Sequence, residues 1–184
     1  VGLAVAMYGQ MSGGDYFYSA NSASSSENGD SKGLYMWSVK LKVMSLLPDY
    51  KAIYCPSSGA NESNSSPFES YGAYYTSATD GIVNLSKVDP SATAIAGDGY
   101  SIEAKTPYYR MNFSTVASNG TAYARPALIH NRTCNILFVD SHVEALNKEG
   151  LGAVYTPQLY NGNYVKIKAC WIPDDAANTE TPWK

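Results

Sequence analysis

The sequence has few charges and no concentration of either sign. Among its 184 residues, 16% are charged, and 13 Lys and Arg against 16 Asp and Glu give a net charge of -3. A protein that binds nucleic acid needs clustered Lys and Arg to neutralise phosphates, so that class is excluded. The chain also lacks a run of about 18 apolar residues, so we expect no membrane-spanning segment within it.

Catalytic and metal motifs are equally scarce. The sequence contains neither a Gly-x-Ser-x-Gly nucleophile elbow nor a Cys-x-x-Cys pair. These absences exclude the hydrolase elbow, the zinc ribbon and the thioredoxin-type site. The segment Gly97-Asp98-Gly99 opens no predicted helix that could cradle a phosphate. The residues favour a protein without enzymatic activity.

What is present indicates one folded domain. Hydrophobic residues make up 45% of the chain and 16 tyrosines supply large surfaces to bury, which disfavours disorder. Apolar residues three and four apart predict a helix from Leu34 to Met44, ended by Pro48. Short apolar runs predict strands at residues 51–55, 70–75, 93–96, 135–146 and 164–172. The expected fold class is α+β, with helices packed on an antiparallel β-sheet and long polar loops.

The first eight residues are apolar on nearly every side. No capping Ser, Thr, Asp or Asn precedes them, and Ser12-Gly13-Gly14 is a typical helix end. We therefore expect residues 1–11 to be the last turns of a helix that begins upstream. The alternative is a short buried helix or strand at a mature N-terminus.

The cysteines and the sequons bear on the protein's location. An odd count of cysteines predicts one disulfide plus a free thiol, or a partner cysteine elsewhere; the candidates are Cys55, Cys134 and Cys170. Asn-x-Ser/Thr sequons arise easily by chance in an Asn- and Ser-rich chain; they stand at Asn61, Asn64, Asn84, Asn112, Asn119 and Asn131. Abundant Tyr, Ser, Asn and Gly with little Lys and Glu is typical of exported proteins.

Both histidines of the chain fall in one stretch, at His130 and His142. Asp140 and His142 are two apart on the predicted strand, so their side chains leave the same face. Asp98 ends another predicted strand and is a fourth candidate for that neighbourhood. His130, Asp140 and His142 could together hold a divalent ion such as Zn²⁺, Mn²⁺ or Ca²⁺. The alternative is a hydrogen-bonded network without a metal or any other cofactor.

The same stretch resembles a known family. His130, nine further residues and Asp140, followed by His142-Val143-Glu144, are similar to the signature of bacterial pilin-like proteins with a prepilin-type N-terminus. That signature reads His, nine residues, Asp-Gly, so Ser141 replaces its Gly. A Gly at this position would serve a turn with positive φ.

Further segments agree with the resemblance in order and spacing over residues 1 to about 146. They are the apolar N-terminus with Gly14-Asp15-Tyr16-Phe17, Tyr54-Cys55-Pro56-Ser57, Ser70-Tyr71-Gly72, Val88-Asp89-Pro90-Ser91 and Ala96-Gly97-Asp98. The resemblance implies that residues 1–11 end a long N-terminal helix and that residues 12–146 form a pilin-like head. Residues 147–184 are then a C-terminal extension with one strand and a polar tail.

The function implied by the resemblance is mechanical. Members resemble type IV pilins and the pseudopilins of type II secretion, which pack with copies of themselves or related pilins in a helical filament. Their hydrophobic helix, which lies outside this sequence, anchors them in the inner membrane before the assembly machinery adds them to the filament. The implied location is the cell surface or the extracellular space.

Two other functions remain open at the level of the sequence. One is an exported carbohydrate- or surface-binding module, with aromatic platforms among Tyr108, Tyr109, Tyr123 and Trp183 and an ion near His130 and Asp140. The other is a metal-dependent hydrolase that uses Asp98, His130, Asp140 and His142.

Overall fold

The computed structural model describes residues 1–11, 16–18, 37–56, 71–74, 82–85, 87–101, 106–111, 124–160, 163–167, 169–170, 172 and 181–182. Its helices are α1 (Gly2–Met11), α2 (Trp37–Val43), a 3₁₀ helix (Tyr50–Ile53) and α3 (Lys148–Ala153). The strands of the first half are β1 (Tyr16–Tyr18), β2 (Gly72–Tyr74), β3 (Ile82–Asn84), β4 (Ala94–Gly97), β5 (Gly99–Ser101), β6 (Thr106–Pro107) and β7 (Arg110–Met111). Those of the second half are β8 (Arg125–Pro126), β9 (Cys134–Phe138), β10 (Val143–Leu146), β11 (Tyr155–Tyr160), β12 (Asn163–Lys166), β13 (Ala169–Cys170) and β14 (Thr181–Pro182).

A five-stranded sheet organises these elements, in the order β10-β9-β4-β2-β7. Its pairs are antiparallel except for β2 with β7, which run parallel. The smaller sheets pair β1 with β3, β11 with β12, β13 with β14, and β5 with both β6 and β8. The predicted α+β class is therefore confirmed.

The sheet separates two hydrophobic clusters, because alternate strand residues point to opposite faces. On β9, Leu137 belongs to the cluster that contains α1 and α2, whereas Ile136 and Phe138 belong to the other. That second cluster also contains Leu151 of α3 and Ile167 after β12. Residues from beyond position 146 thus help to bury the back of the sheet.

The two predicted helices of the first half are present where the structure describes them. α1 packs on the sheet through Ala4, Val5 and Tyr8 and ends at Met11, as Ser12-Gly13-Gly14 predicted. In α2, Trp37 and Leu41 are buried in the same cluster, whereas Leu34 lies outside the described residues. No described helix has the length and apolar character that crossing a membrane requires.

Three strand predictions were wrong in ways that local hydrogen bonds explain. Residues 50–53 form a 3₁₀ helix, because the Asp49 carboxylate accepts the Lys51 N–H at 2.8 Å and caps the turn. The run 135–146 folds into the β9–β10 hairpin, and the run 164–172 is interrupted between β12 and β13.

The extension at residues 147–184 contains more structure than the one strand predicted. Asn147 caps α3 by accepting the Gly150 N–H at 2.9 Å, which starts a helix directly after β10. Four strands follow it, β11 to β14. The predicted strand at 164–172 covers β12 and β13, whereas β11 and the two-residue β14 were missed.

Candidate functional site

Three side chains from distant parts of the chain meet beside the main sheet. Cys55 follows the 3₁₀ helix, Asp98 follows β4, and His130 precedes the turn that leads into β9. The His130 Nε2 atom lies 3.2 Å from the Cys55 Sγ atom and 3.3 Å from the Asp98 Oδ2 atom. Cys55 and Asp98 are buried and His130 is half-buried.

The end of β4 determines where Asp98 lies. β4 approaches β9 so closely that a Cβ atom on Gly97 would stand 2.6 Å from the Asn135 carbonyl oxygen. The Asp98 N–H donates to that carbonyl at 3.0 Å, and the Asn135 N–H donates to Asp98 Oδ2 at 2.7 Å. Asp98 is 1% exposed, and its Oδ1 atom has no hydrogen-bond partner among the residues that the structure describes. A buried carboxylate oxygen without a partner is unusual in a folded protein.

Burial raises the pKa of Asp98 and of two neighbouring residues, Tyr71 and Cys134. Desolvation raises the pKa of Asp98, while the Asn135 N–H and His130 oppose part of that rise. Burial, followed by the nearby Cys55 and Asp98, raises the pKa of Tyr71 to about 12. Burial and then the Asp98 charge raise the pKa of the Cys134 thiol well above its usual value. Cys134 is therefore an inert thiol.

A two-residue turn presents His130 to the cluster. Asn131 and Arg132 have φ of 50° and 63°, which are the two positive values that a type I′ hairpin turn requires. His130 and Thr133 exchange both backbone hydrogen bonds at 3.0 Å across it. The Thr133 hydroxyl also donates to the His130 carbonyl at 2.6 Å. The backbone at His130 is thereby fixed at the start of β9.

The second His–Asp pair lies in the turn at the other end of β9. The Asp140 Oδ1 atom accepts the His142 backbone N–H at 3.1 Å and contacts the His142 Nδ1 atom. The His142 ring stacks on Phe138 with 4.2 Å between ring centroids. Desolvation raises the pKa of Asp140, but hydrogen bonds from His142 outweigh it, so the net shift is downward. Both side chains are exposed to solvent.

The predicted four-residue cluster of Asp98, His130, Asp140 and His142 does not form. Asp98 is bound at Asn135, whereas the Asp140 N–H donates to Pro90 O at the opposite end of the β4–β9 pair. Five residues of extended chain separate Asn135 from Asp140, or roughly 16 Å at about 3.3 Å per residue. The prediction assumed that residues 135–146 form one strand, so the hairpin was missed. The predicted metal set and the hydrolase site therefore lack a common centre.

Cys55 was missed as a member of the site. Its sequence signals were its place among the disulfide candidates and the segment Tyr54-Cys55-Pro56-Ser57, and neither pointed to Asp98 and His130. Cys55, Cys134 and Cys170 are buried and form no disulfide with one another; a partner cysteine elsewhere stays a prediction.

The remaining site predictions are only partly covered by the described residues. Of the sequons, Asn131 is exposed in its turn and Asn84 lies in β3; Asn61, Asn64, Asn112 and Asn119 lie outside the described residues. Among the proposed sugar platforms, Tyr109 is buried and Tyr108 half-buried, while Tyr123 and Trp183 lie outside them. A buried ring offers no face to a sugar.

A cleft adjoins the Asp98 side of the cluster. Its volume is about 400 Å³, and its walls include Tyr71, Gly97 and Asn135, together with the start of α1 and Val143 of β10. Gly97 precedes Asp98 in the chain and Asn135 is hydrogen-bonded to it. Cys55, Asp98 and His130 themselves are not among its wall residues.

The donor atoms of the cluster could hold a metal ion. A thiol sulfur, an imidazole nitrogen and a carboxylate oxygen lie within 4.8 Å of one another.

No family model matches the sequence, and neither a curated protein nor a solved structure is significantly similar to it. Function is therefore inferred from the residues and their geometry.

Proposed function

We propose that the protein is a non-enzymatic filament subunit of the type IV pilin or type II secretion pseudopilin kind, exported to the cell surface. In this role α1 continues a hydrophobic helix that lies upstream. The head, built on the main sheet, faces outward in a filament of identical or related subunits. The observation that carries the proposal is that α1 is apolar on two adjacent sides, one packed on the head and one exposed.

One side of α1 is occupied by the head itself. Ala4, Val5 and Tyr8 are buried against the sheet, which fixes the helix to the domain. A helix of a soluble domain normally has polar residues on its other side.

The outer side of α1 is apolar as well. Leu3, Met7 and Met11 recur every four residues and are 74%, 43% and 62% exposed. Residues four apart lie one above the other, so the three form a stripe along the helix. Since exposed apolar surface is stabilised by burial, the stripe suits contact with the helices of neighbouring subunits.

The resemblance to pilin-like proteins gains support from the β9–β10 turn. Ser141, which stands where those proteins have Gly, has a φ of 75°. The Ser141 N–H donates to Phe138 O and the Phe138 N–H to His142 O, both at 3.0 Å. This is a three-residue hairpin loop whose last residue is left-handed, a position that favours glycine.

The buried thiols also suit a protein outside the cell. All three cysteines are buried, so oxidants and other thiols have little access to them. A thiol shielded in this way can stay reduced in an exported subunit.

A charge in the outer stripe of α1 tests the proposal. In cells that make the full-length protein, Met7→Glu should abolish or strongly reduce filaments recovered by shearing, because a carboxylate would enter an apolar contact. Ala153→Glu, at an exposed position of α3, is the matched control and should assemble normally. Normal assembly of a folded Met7→Glu protein would contradict the proposal.

A further inference from the structure

We infer that Cys55, Asp98 and His130 bind one Zn²⁺ ion, which clamps three separate segments of the head together. The inference does not depend on the filament function, because it rests on the geometry of the cluster alone. It assigns the metal to a different set of residues from the His130, Asp140 and His142 set that the sequence indicated.

The distances within the cluster are close to those around a tetrahedral zinc ion. With Zn–S near 2.3 Å and Zn–N and Zn–O near 2.1 Å, tetrahedral angles put sulfur about 3.6 Å from nitrogen and nitrogen about 3.4 Å from oxygen. The corresponding separations here are 3.2 Å and 3.3 Å, and the Cys55 Sγ atom lies within 4.8 Å of an Asp98 carboxylate oxygen, where a tetrahedral ion needs about 3.6 Å. Shifts of up to about 1 Å, chiefly between the thiol and the carboxylate, would therefore admit the ion.

The partners of His130 favour a metal over a catalytic triad. In a triad, the imidazole contacts the nucleophile through one ring nitrogen and the orienting carboxylate through the other. Here Cys55 Sγ and Asp98 Oδ2 both face Nε2. That nitrogen carries one proton or one lone pair, so it cannot bond well to both groups. An ion between the three atoms satisfies them together.

The burial of Asp98 supports a bound metal independently of these distances. Asp98 is 1% exposed, and within the described part of the chain its Oδ1 atom has no hydrogen-bond partner. An isolated carboxylate is costly to bury, and buried charges are usually paired or coordinate metals. A divalent ion at the cluster would compensate the Asp98 charge and so offset the free-energy cost of burying this carboxylate.

The donor set selects the metal. Thiolate and imidazole ligands suit Zn²⁺, whereas Ca²⁺ and Mg²⁺ require oxygen ligands. Three protein ligands leave one tetrahedral position, which a water molecule fills when the protein supplies only three donors.

Binding would join segments that are far apart in the chain. Cys55 and His130 are 75 residues apart, and Asp98 lies between them at the end of β4. Closing long loops restricts the unfolded chain, as a disulfide does. The metal would thus supply a cross-link where no disulfide joins Cys55, Cys134 and Cys170.

Metal titration of the purified, chelator-treated protein tests the inference. We expect one Zn²⁺ per chain and a midpoint temperature of unfolding that rises with added Zn²⁺, because ligands that bind only the folded state stabilise it. Co²⁺ should give the sulfur-to-cobalt absorption of a thiolate ligand, a readout that needs no variant. Absence of stoichiometric binding, or Co²⁺ binding without this absorption, would overturn the inference.

Variants then locate the site. Cys55→Ser and His130→Gln should each lower Zn²⁺ affinity by at least about 100-fold, the upper end of what losing an outer-shell contact costs. Cys170→Ser and His142→Gln remove the same groups elsewhere and should bind Zn²⁺ like the parent. Unchanged affinity in folded Cys55→Ser, or loss of binding in folded His142→Gln, would show that the ion lies elsewhere.

Discussion

The two ends of β9 carry the same pair of residue types in opposite environments. At the start of the strand, His130 contacts Asp98, which is 1% exposed. After its end, His142 contacts Asp140, and both side chains face solvent. Burial raises the pKa of Asp98, whereas hydrogen bonds from His142 give Asp140 a net lowered pKa. The chemistry of a His–Asp pair is therefore set by its surroundings and not by its residue types.

This comparison gives a structural meaning to the spacing of His130 and Asp140, on which the resemblance to pilin-like proteins rests. The two residues belong to two different turns joined by one strand, a type I′ turn at Asn131-Arg132 and a three-residue loop ending at Ser141. The spacing of nine residues fixes the length of β9 between these turns. Among the described residues, His130 meets Cys55 and Asp98, whereas Asp140 shapes the hairpin.

Removing each aspartate should produce the largest difference between the two ends. In chelator-treated protein, Asp98→Ala leaves the Asn135 N–H without its acceptor and removes a buried partner of His130. We expect a loss of about 2–4 kcal/mol in the free energy of unfolding, measured by urea denaturation. Asp140→Ala breaks only exposed contacts and should cost less than about 1 kcal/mol. Equal losses would contradict the assigned difference between the two ends.

Removing the Cβ atom at Ser141, where φ is positive, should change the free energy of unfolding less than removing Asp98, and in the opposite direction. Ser141→Gly should stabilise the protein by about 1 kcal/mol, because glycine adopts the left-handed conformation without steric cost. Ser141→Ala also removes the hydroxyl but keeps the Cβ atom, so it serves as the control and should give no gain. A loss of stability in Ser141→Gly would show that the hydroxyl matters more than the backbone.

The helices and strands around the main sheet were easier to predict from the sequence than the turn that follows β9. Periodicity predicted α2, short apolar runs predicted β2 and β4, and α1 was predicted from its apolar run and the Ser12-Gly13-Gly14 end. The turn after β9 was missed, because the apolar residues on both sides of Asp140-Ser141-His142 allowed a single strand to be read through it. Only the positive φ that the resemblance suggested for position 141 pointed to a turn.

The candidate site was predictable only in part for a related reason. Asp98 and His130 were expected near each other because both stand at strand ends. Cys55 could not be placed beside them, since its contact with His130 spans 75 residues and depends on a 3₁₀ helix that resembled a strand. Contacts of this kind follow from tertiary packing and leave no local pattern.

The pH dependence of Asp140 is the smallest expected effect. Its folded-state pKa is lowered from 3.8, so its contribution to stability is present above that value and is lost as the pH falls through the folded pKa. An NMR titration of the carboxyl group should give a pKa below 3.8, and His142→Gln should return it toward that value. A pKa that does not respond to His142→Gln would contradict the role given to this pair.

The proposed filament function is tested most directly at the N-terminus of the native protein. Material sheared from the cells that make it should be analysed by intact mass and N-terminal peptide spectrometry. We predict a longer chain that begins with an N-methylated residue and continues through a hydrophobic helix into α1. A native chain cut by an ordinary signal peptidase, with no hydrophobic helix before α1, would contradict the account.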